Sequence, residues 1–169
     1  MRNSKVKGFT LIELIVVIAI IGVLAAILVP SMIGYVGKSK LATANSNAKL
    51  AFTNTATWCT QSEVNGNAIG TKGALTKSCD LTTTGKKTED VKYSGTDADL
   101  EVALVVLMGG NTNAGQAYVE VTDSAPSLTQ WQKKKDTDMY VGQYPQESTK
   151  KSTSGKMKVT DNVEKTSGT

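Results

Sequence analysis

The side chains that carry most protein chemistry are scarce in this 169-residue chain, which has no histidine and two cysteines. Without imidazole there is no His general acid or base, no His metal site and no Cys–His nucleophile pair. The sequence also lacks a Gly-rich phosphate loop, a Cys-x-x-Cys pair, a nucleophile elbow and a metal-ligand cluster. The residues therefore ask for no catalysis, no cofactor and no metal.

Three groupings remain to be weighed. Glu89, Asp90, Asp97, Asp99 and Glu101 supply oxygen ligands of the kind calcium takes, but their spacing fits no EF-hand. A solvated loop running into an acidic helix start accounts for them without a metal. Lys133, Lys134 and Lys135 form a compact basic run close to Trp131, a pattern that suits nucleic acid or equally an exposed loop beside one anchored indole. Trp131, Tyr140 and Tyr144 offer a third possibility, an aromatic strip on a sheet that would stack on the sugar rings of a surface polysaccharide. Ordinary core residues would show the same spacing.

Cys59 and Cys79 are an even pair in a chain that reads as exported, so the expectation is a disulfide closing a loop of about twenty residues, contributing about 3 kcal/mol. Two free buried thiols are the alternative.

The elements that must carry these residues begin with a sharp boundary. Residues 1–8, MRNSKVKG, are short, basic and polar; then comes FTLIELIVVIAIIGVLAAILVP, in which Glu13 is the one charge. Phe9 to Val29 is a 21-residue stretch that as a helix would rise about 31 Å and cross a hydrocarbon core. A secretory signal would have a shorter core and a small-x-small cleavage site, where this segment ends on Leu28-Val29-Pro30. Three basic residues before the span, against Lys38 and Lys40 after it, favour an inside N-terminus and an outside head.

Glu13 is the discriminating residue, because an acid within a membrane helix is costly and needs a partner. A cut between Gly8 and Phe9 would create an α-amino cation one helical turn away, on the same chain or on a neighbour. Pairing between chains would fix the axial register of an assembly.

The segment KGFTLIELIVVIAIIGVLAAILVP resembles the type III signal of type IV pilins, with the basic leader, Gly8, Phe9, Glu13 and Pro30 in register. The resemblance covers about the first thirty residues. It implies cleavage after Gly8 by a prepilin peptidase, N-methylation of Phe9, a subunit-docking role for Glu13, and a helix that loosens near Pro30. It further implies a chain that partners itself in a helical homopolymer through the pilus assembly machinery.

Apolar spacing resumes after Pro30 through Leu41, Ala44, Ala48, Phe52 and Cys59, which predicts one long helix, kinked near Pro30 and amphipathic over 30–60. Residues 61–169 then form the head. The Gly-, Thr- and Lys-rich stretch after Cys59 reads as a connecting loop. Residues 96–108 read as a helix capped by Thr96 and Asp99 and stopped at Gly109-Gly110, although the Val-rich centre also suits a strand. Strands are expected at Gln116 to Val121 and Met139 to Tyr144, with a weaker one at Lys156 to Thr160 before a polar tail.

The sum is an α+β chain, a long helix packed on a small antiparallel sheet. Of its 19 basic residues three precede Phe9, leaving 16 against 15 acids, a near-neutral balance that argues against nucleic acid as a partner. Three function classes share such an N-terminus: a filament-forming pilus subunit, a minor or adhesive pilin that binds a surface polysaccharide, and a pseudopilin of a secretion or DNA-uptake system. The uninterrupted apolar helix with Glu13 favours the first, with the precursor in the cytoplasmic membrane, its head outside, and the assembled form extracellular.

Overall fold

The computed structural model describes residues 8–67, 69, 75–110, 114–133, 139–152, 154 and 156–157. In chain order the elements are helix α1 (Leu11–Val64), strand β1 (Leu75–Asp80), a 3-10 turn (Thr88–Asp90), helix α2 (Asp97–Leu107), and strands β2 (Gln116–Thr122), β3 (Ala125–Gln132) and β4 (Gly142–Tyr144). The chain divides into two compact units, residues 1–38 and 39–169.

In the first unit the described chain is the opening part of α1. Leu and Ala are good helix formers, and the β-branched Ile and Val between them cost only about 0.5 kcal/mol each. Pro30 lies inside the helix, which continues through it. The large apolar side chains from Phe9 to Val36 are all exposed, so this helix has no core of its own to face. By length and composition it is able to cross a membrane.

In the second unit the sheet is a four-stranded antiparallel meander in the order β1-β2-β3-β4. Register fixes two different faces. Cys79, Ala117, Trp131 and Gly142 align across the strands on one face, with Val119, Val121 and Thr129. That face meets the small buried residues Ala44, Ala48 and Ala51 of α1, the larger Trp58, and Leu100, Ala103 and Leu104 of α2, which together form the core. Gly142 permits close approach: a Cβ there would sit 2.0 Å from the Ala44 carbonyl, so strand and helix backbones touch. The opposite face is polar, with Gln116 paired to Gln132, Tyr118 to Gln130 and Gln130 to Gln143. Its central glutamines are nonetheless buried, and Gln130 Nε2 donates to Gln143 Oε1 at 2.8 Å.

Helix α2 settles the ambiguity between helix and strand. Thr96 is extended (φ −91°, ψ 153°) and its hydroxyl accepts from Asp99 N, as an N-cap does. At the other end Gly109 is left-handed (φ 78°), and Gly110 N donates to Val105 O at 2.7 Å, closing the last turn.

Several expectations need correction. The stretch after Cys59 is not all loop, since residues 75–80 form β1 on the edge of the sheet. Residues 125–132 form β3, which the sequence pattern did not suggest. The strand expected over 139–144 is shortened to 142–144. Lys156 and Met157 are not in a strand, and the rest of that segment and the tail lie outside the described residues.

Candidate functional site

Glu13 sits where the chain enters α1. Thr10 caps the helix: Glu13 N donates to Thr10 Oγ1 at 3.3 Å, while Glu13 Oε2 accepts from Thr10 N at 2.8 Å and from Thr10 Oγ1 at 2.7 Å. This reciprocal capping box satisfies two donors at the helix start and fixes the carboxylate rotamer. Both Thr10 bonds use Oε2, which leaves Oε1 to accept from elsewhere. The signal was present in the sequence as Thr10-x-x-Glu13 before an apolar run, and it lies under the more conspicuous charge of Glu13 itself. Gly8 and Phe9 precede the helix, and Phe9 is 83% exposed, so the bond between them is not buried in the chain's own fold.

The aromatic residues do not form one strip. Trp131 is 6% exposed and belongs to the core, with its indole N–H donating to Ala114 O at 2.9 Å. Tyr144 lies half-buried on β4, its ring packed edge-on against Phe52 at 4.9 Å. Tyr140 precedes the strand. Neither tyrosine presents an unencumbered face: the ammonium groups of Lys40 and Lys151 lie 5.4 and 5.1 Å from the Tyr140 ring centre, and that of Lys49 lies 5.7 Å from Tyr144. Of the basic run beside Trp131, Lys133 is exposed, while Lys134 and Lys135 lie outside the described residues.

The disulfide expected between Cys59 and Cys79 is not formed; both are free, buried thiols within the core. Even number and export context say nothing of how two side chains point, and a thiol packs well as a small apolar group. Burial pushes the Cys59 thiol up to about 11 and Cys79 to about 12, so neither is a nucleophile at neutral pH.

The acidic residues are satisfied locally. Lys77 Nζ lies 3.0 Å from Glu101 and 3.6 Å from Asp97, and the Glu101 hydrogen bond holds the lysine above its usual range. Asp99 accepts from the Ser94 hydroxyl, Asp90 accepts from Lys87 N, and Glu89 pairs with Lys87 in solvent.

A residue the sequence did not single out joins helix to sheet. Asn45 is buried; its Oδ1 accepts from Gln143 N at 3.1 Å and Ser148 N at 3.2 Å, and its Nδ2 donates to Ser148 O at 3.0 Å. With Thr129 Oγ1 donating to Ala48 O at 2.7 Å, it ties the β4 edge to α1. An Asn on the apolar side of a helix is the one local sign of such a clamp, and its partners are a hundred residues away.

Residues 3–29 match the family model of the prokaryotic N-terminal methylation motif. Among curated proteins, the chain is 49% identical over 51 residues to the type IV major pilin protein PilA of Myxococcus xanthus, a span covering 30% of this chain and 23% of that protein. It is 54% identical over 44 residues to fimbrial protein EcpC of Eikenella corrodens, covering 26% and 29%. To fimbrial protein Q of Moraxella bovis it is 65% identical over 34 residues, covering 20% and 22%. The match thus spans less than a third of each relative's length. No solved structure gives a significant match. A methylation motif, an apolar helix opened by Glu13 and a head in which the later part of that helix packs on a four-stranded antiparallel sheet make this chain similar, over its N-terminal segment, to type IV pilins.

Proposed function

We propose that this chain is a structural subunit of a type IV pilus. The carrying observation is the exposure of every large apolar side chain from Phe9 to Val36 on a helix that opens with a fixed carboxylate. Before assembly, lipid covers that helix, with the head outside the cytoplasmic membrane. After assembly, the same helices of neighbouring copies cover it, and the filament is extracellular.

Prepilin peptidase cuts between Gly8 and Phe9 and methylates the new amine. The cut leaves Thr10 and its bonds to Glu13 Oε2 intact, so Oε1 is held ready for the Phe9 ammonium of the chain itself or of a neighbour. A carboxylate and an ammonium in a nonpolar filament core are each costly alone and compensated together, so the pair sets axial register between subunits. Pro30, which lacks an N–H, is where α1 yields when helices pack in the filament.

The test is mass spectrometry of material sheared from cells, comparing wild type with Glu13→Ala. Wild-type fibres should contain a chain beginning at N-methylated Phe9, and the variant should be processed yet absent from fibres. A chain that begins at Met1, or is cut near Pro30, would overturn the reading.

A further inference from the structure

The second unit separates its charges across the sheet. At the β4 edge, Lys40 and Lys151 both lie over Tyr140, and Lys49 lies over Tyr144. All three lysines are exposed. Among the described residues none of them is in an ion pair, whereas Lys77 and Lys87 at the other side are. Glu147 is the one acid in the described stretch 139–152, against Lys150 and Lys151.

Two ammonium groups drawn to one ring repel each other, and the ring quadrupole offsets that repulsion only in part. The tyrosines thus gather positive charge at this edge, with no ion pair to it among the described residues.

The opposite edge is the complement. Helix α2 packs beside β1, the far strand of the meander. Asp97, Asp99 and Glu101 begin α2 with no base in the helix, and Asp97 keeps 59% of its side chain exposed even while it pairs with Lys77. A positive edge and a negative edge on one subunit make a heterologous pair of surfaces: the first on one copy faces the second on the next. Contacts of that kind close into a ring if the rotation between copies permits, and otherwise propagate as helical filaments, the form the filament reading requires.

We infer that the lysine cluster of the β4 edge, Lys40, Lys49 and Lys151, docks on the acidic first turn of α2 in a neighbouring copy of this chain. The inference rests on the filament reading above and adds a head-to-head contact to the helix packing in the core. The near-neutral balance beyond residue 8 is compatible with such pairing, since each subunit supplies both signs.

A zero-length carbodiimide, which joins lysines to carboxylates in contact, tests it on sheared filaments of the intact chain and on the same subunits dispersed in detergent. Lys77 joined to Asp97 or Glu101 should appear in both samples as the internal control. Lys40, Lys49 or Lys151 joined to Asp97, Asp99 or Glu101 should appear in filaments and be lost on dispersal. A double variant, Lys40→Glu with Lys151→Glu, should shed filaments at lower salt than wild type, while Lys40→Arg with Lys151→Arg should not.

Filaments that give the Lys77 product and no product between the two edges overturn the docking contact and leave the filament reading standing. The contact is likewise overturned if the glutamate variant forms filaments of unchanged salt tolerance and instead loses retention on a DNA or heparin column. Absence of filaments from wild-type cells would overturn the filament reading itself, and the contact with it.

Discussion

Asn45 shows how one side chain can fix the geometry of a head. Its amide meets three backbone groups of the β4 region, and all of its partners are buried with it. Asn45→Ala would leave the N–H groups of Gln143 and Ser148 without an acceptor, at a cost of about 3 kcal/mol. Urea unfolding of the head should show that loss as a lower midpoint with an unchanged slope. The two thiols make a second prediction at this scale. Their raised values mean that folding favours the protonated form. The stability this contributes is fully present below the unfolded value near 9. It is lost as pH rises from there toward 11 to 12, because the unfolded chain gives up its protons first. A Cys59→Ala/Cys79→Ala double variant should be less stable than wild type at pH 7, and the gap should narrow at pH 10 to 11. In native protein at pH 8 neither thiol should react with iodoacetamide, and in urea both should. A single missing alkylation pair in urea under non-reducing conditions would instead reveal a bond.

Elements depend on backbone contact as much as on side chains, and Gly142 tests this. A Cβ at 142 would overlap the Ala44 carbonyl, so Gly142→Ala must push β4 off α1, costing about 3 kcal/mol and loosening the Asn45 clamp. Gly66 has φ 79° with open space around it, so Gly66→Ala should cost only about 1 kcal/mol of backbone strain. Near-UV circular dichroism and thermal melting of the two variants separate overlap from strain. The same contacts explain which elements were legible. Helix α2 announces itself by Thr96, Asp99 and the Gly109-Gly110 stop, all local signals. Strand β2 alternates on the page as it does in space. Strand β1 has only Leu75 and Cys79 as apolar residues on its inner face, with Lys77 between them, and that lysine is accommodated because α2 brings Asp97 and Glu101 to it. Strand β3 carries Pro126 and two buried glutamines, and enters from a turn at Asp123-Ser124 whose positive φ values, 49° and 60°, come without the usual glycine. A one-residue irregularity between Glu120 and Val121 shifts its register as well. No short-range pattern reports features that arise from partners far along the chain. The same limit explains Trp131: neither its strand nor the face that the core occupies was readable from its neighbours in sequence.

At the scale of the whole molecule the division of labour is between a helix with no core and a head with one. Every core residue among the described ones lies at or beyond Ala44, and every large apolar residue from Phe9 to Val36 is exposed. Among the described residues the head's core draws on none before Ala44, and residues 1–38 form a compact unit of their own. Truncating α1 at Ser39 would remove the exposed apolar stretch and leave Ala44, Asn45, Ala48, Ala51 and Trp58 on the helix that remains. That helix would keep 26 residues of α1, Ser39 to Val64, held by the sheet rather than by propensity. The expected result is a head of residues 39–169 that is soluble without detergent, runs as a monomer on gel filtration and unfolds in one cooperative transition. The full chain should need detergent or a filament to hide its apolar helix. Adding back residues 9–38 should restore association, and Glu13→Ala in that longer chain should leave the melting transition of the head unchanged while abolishing filaments. If the truncated head instead binds hydrophobic dyes and shows no cooperative transition, the first 38 residues contribute to folding and the separation of roles argued here does not hold.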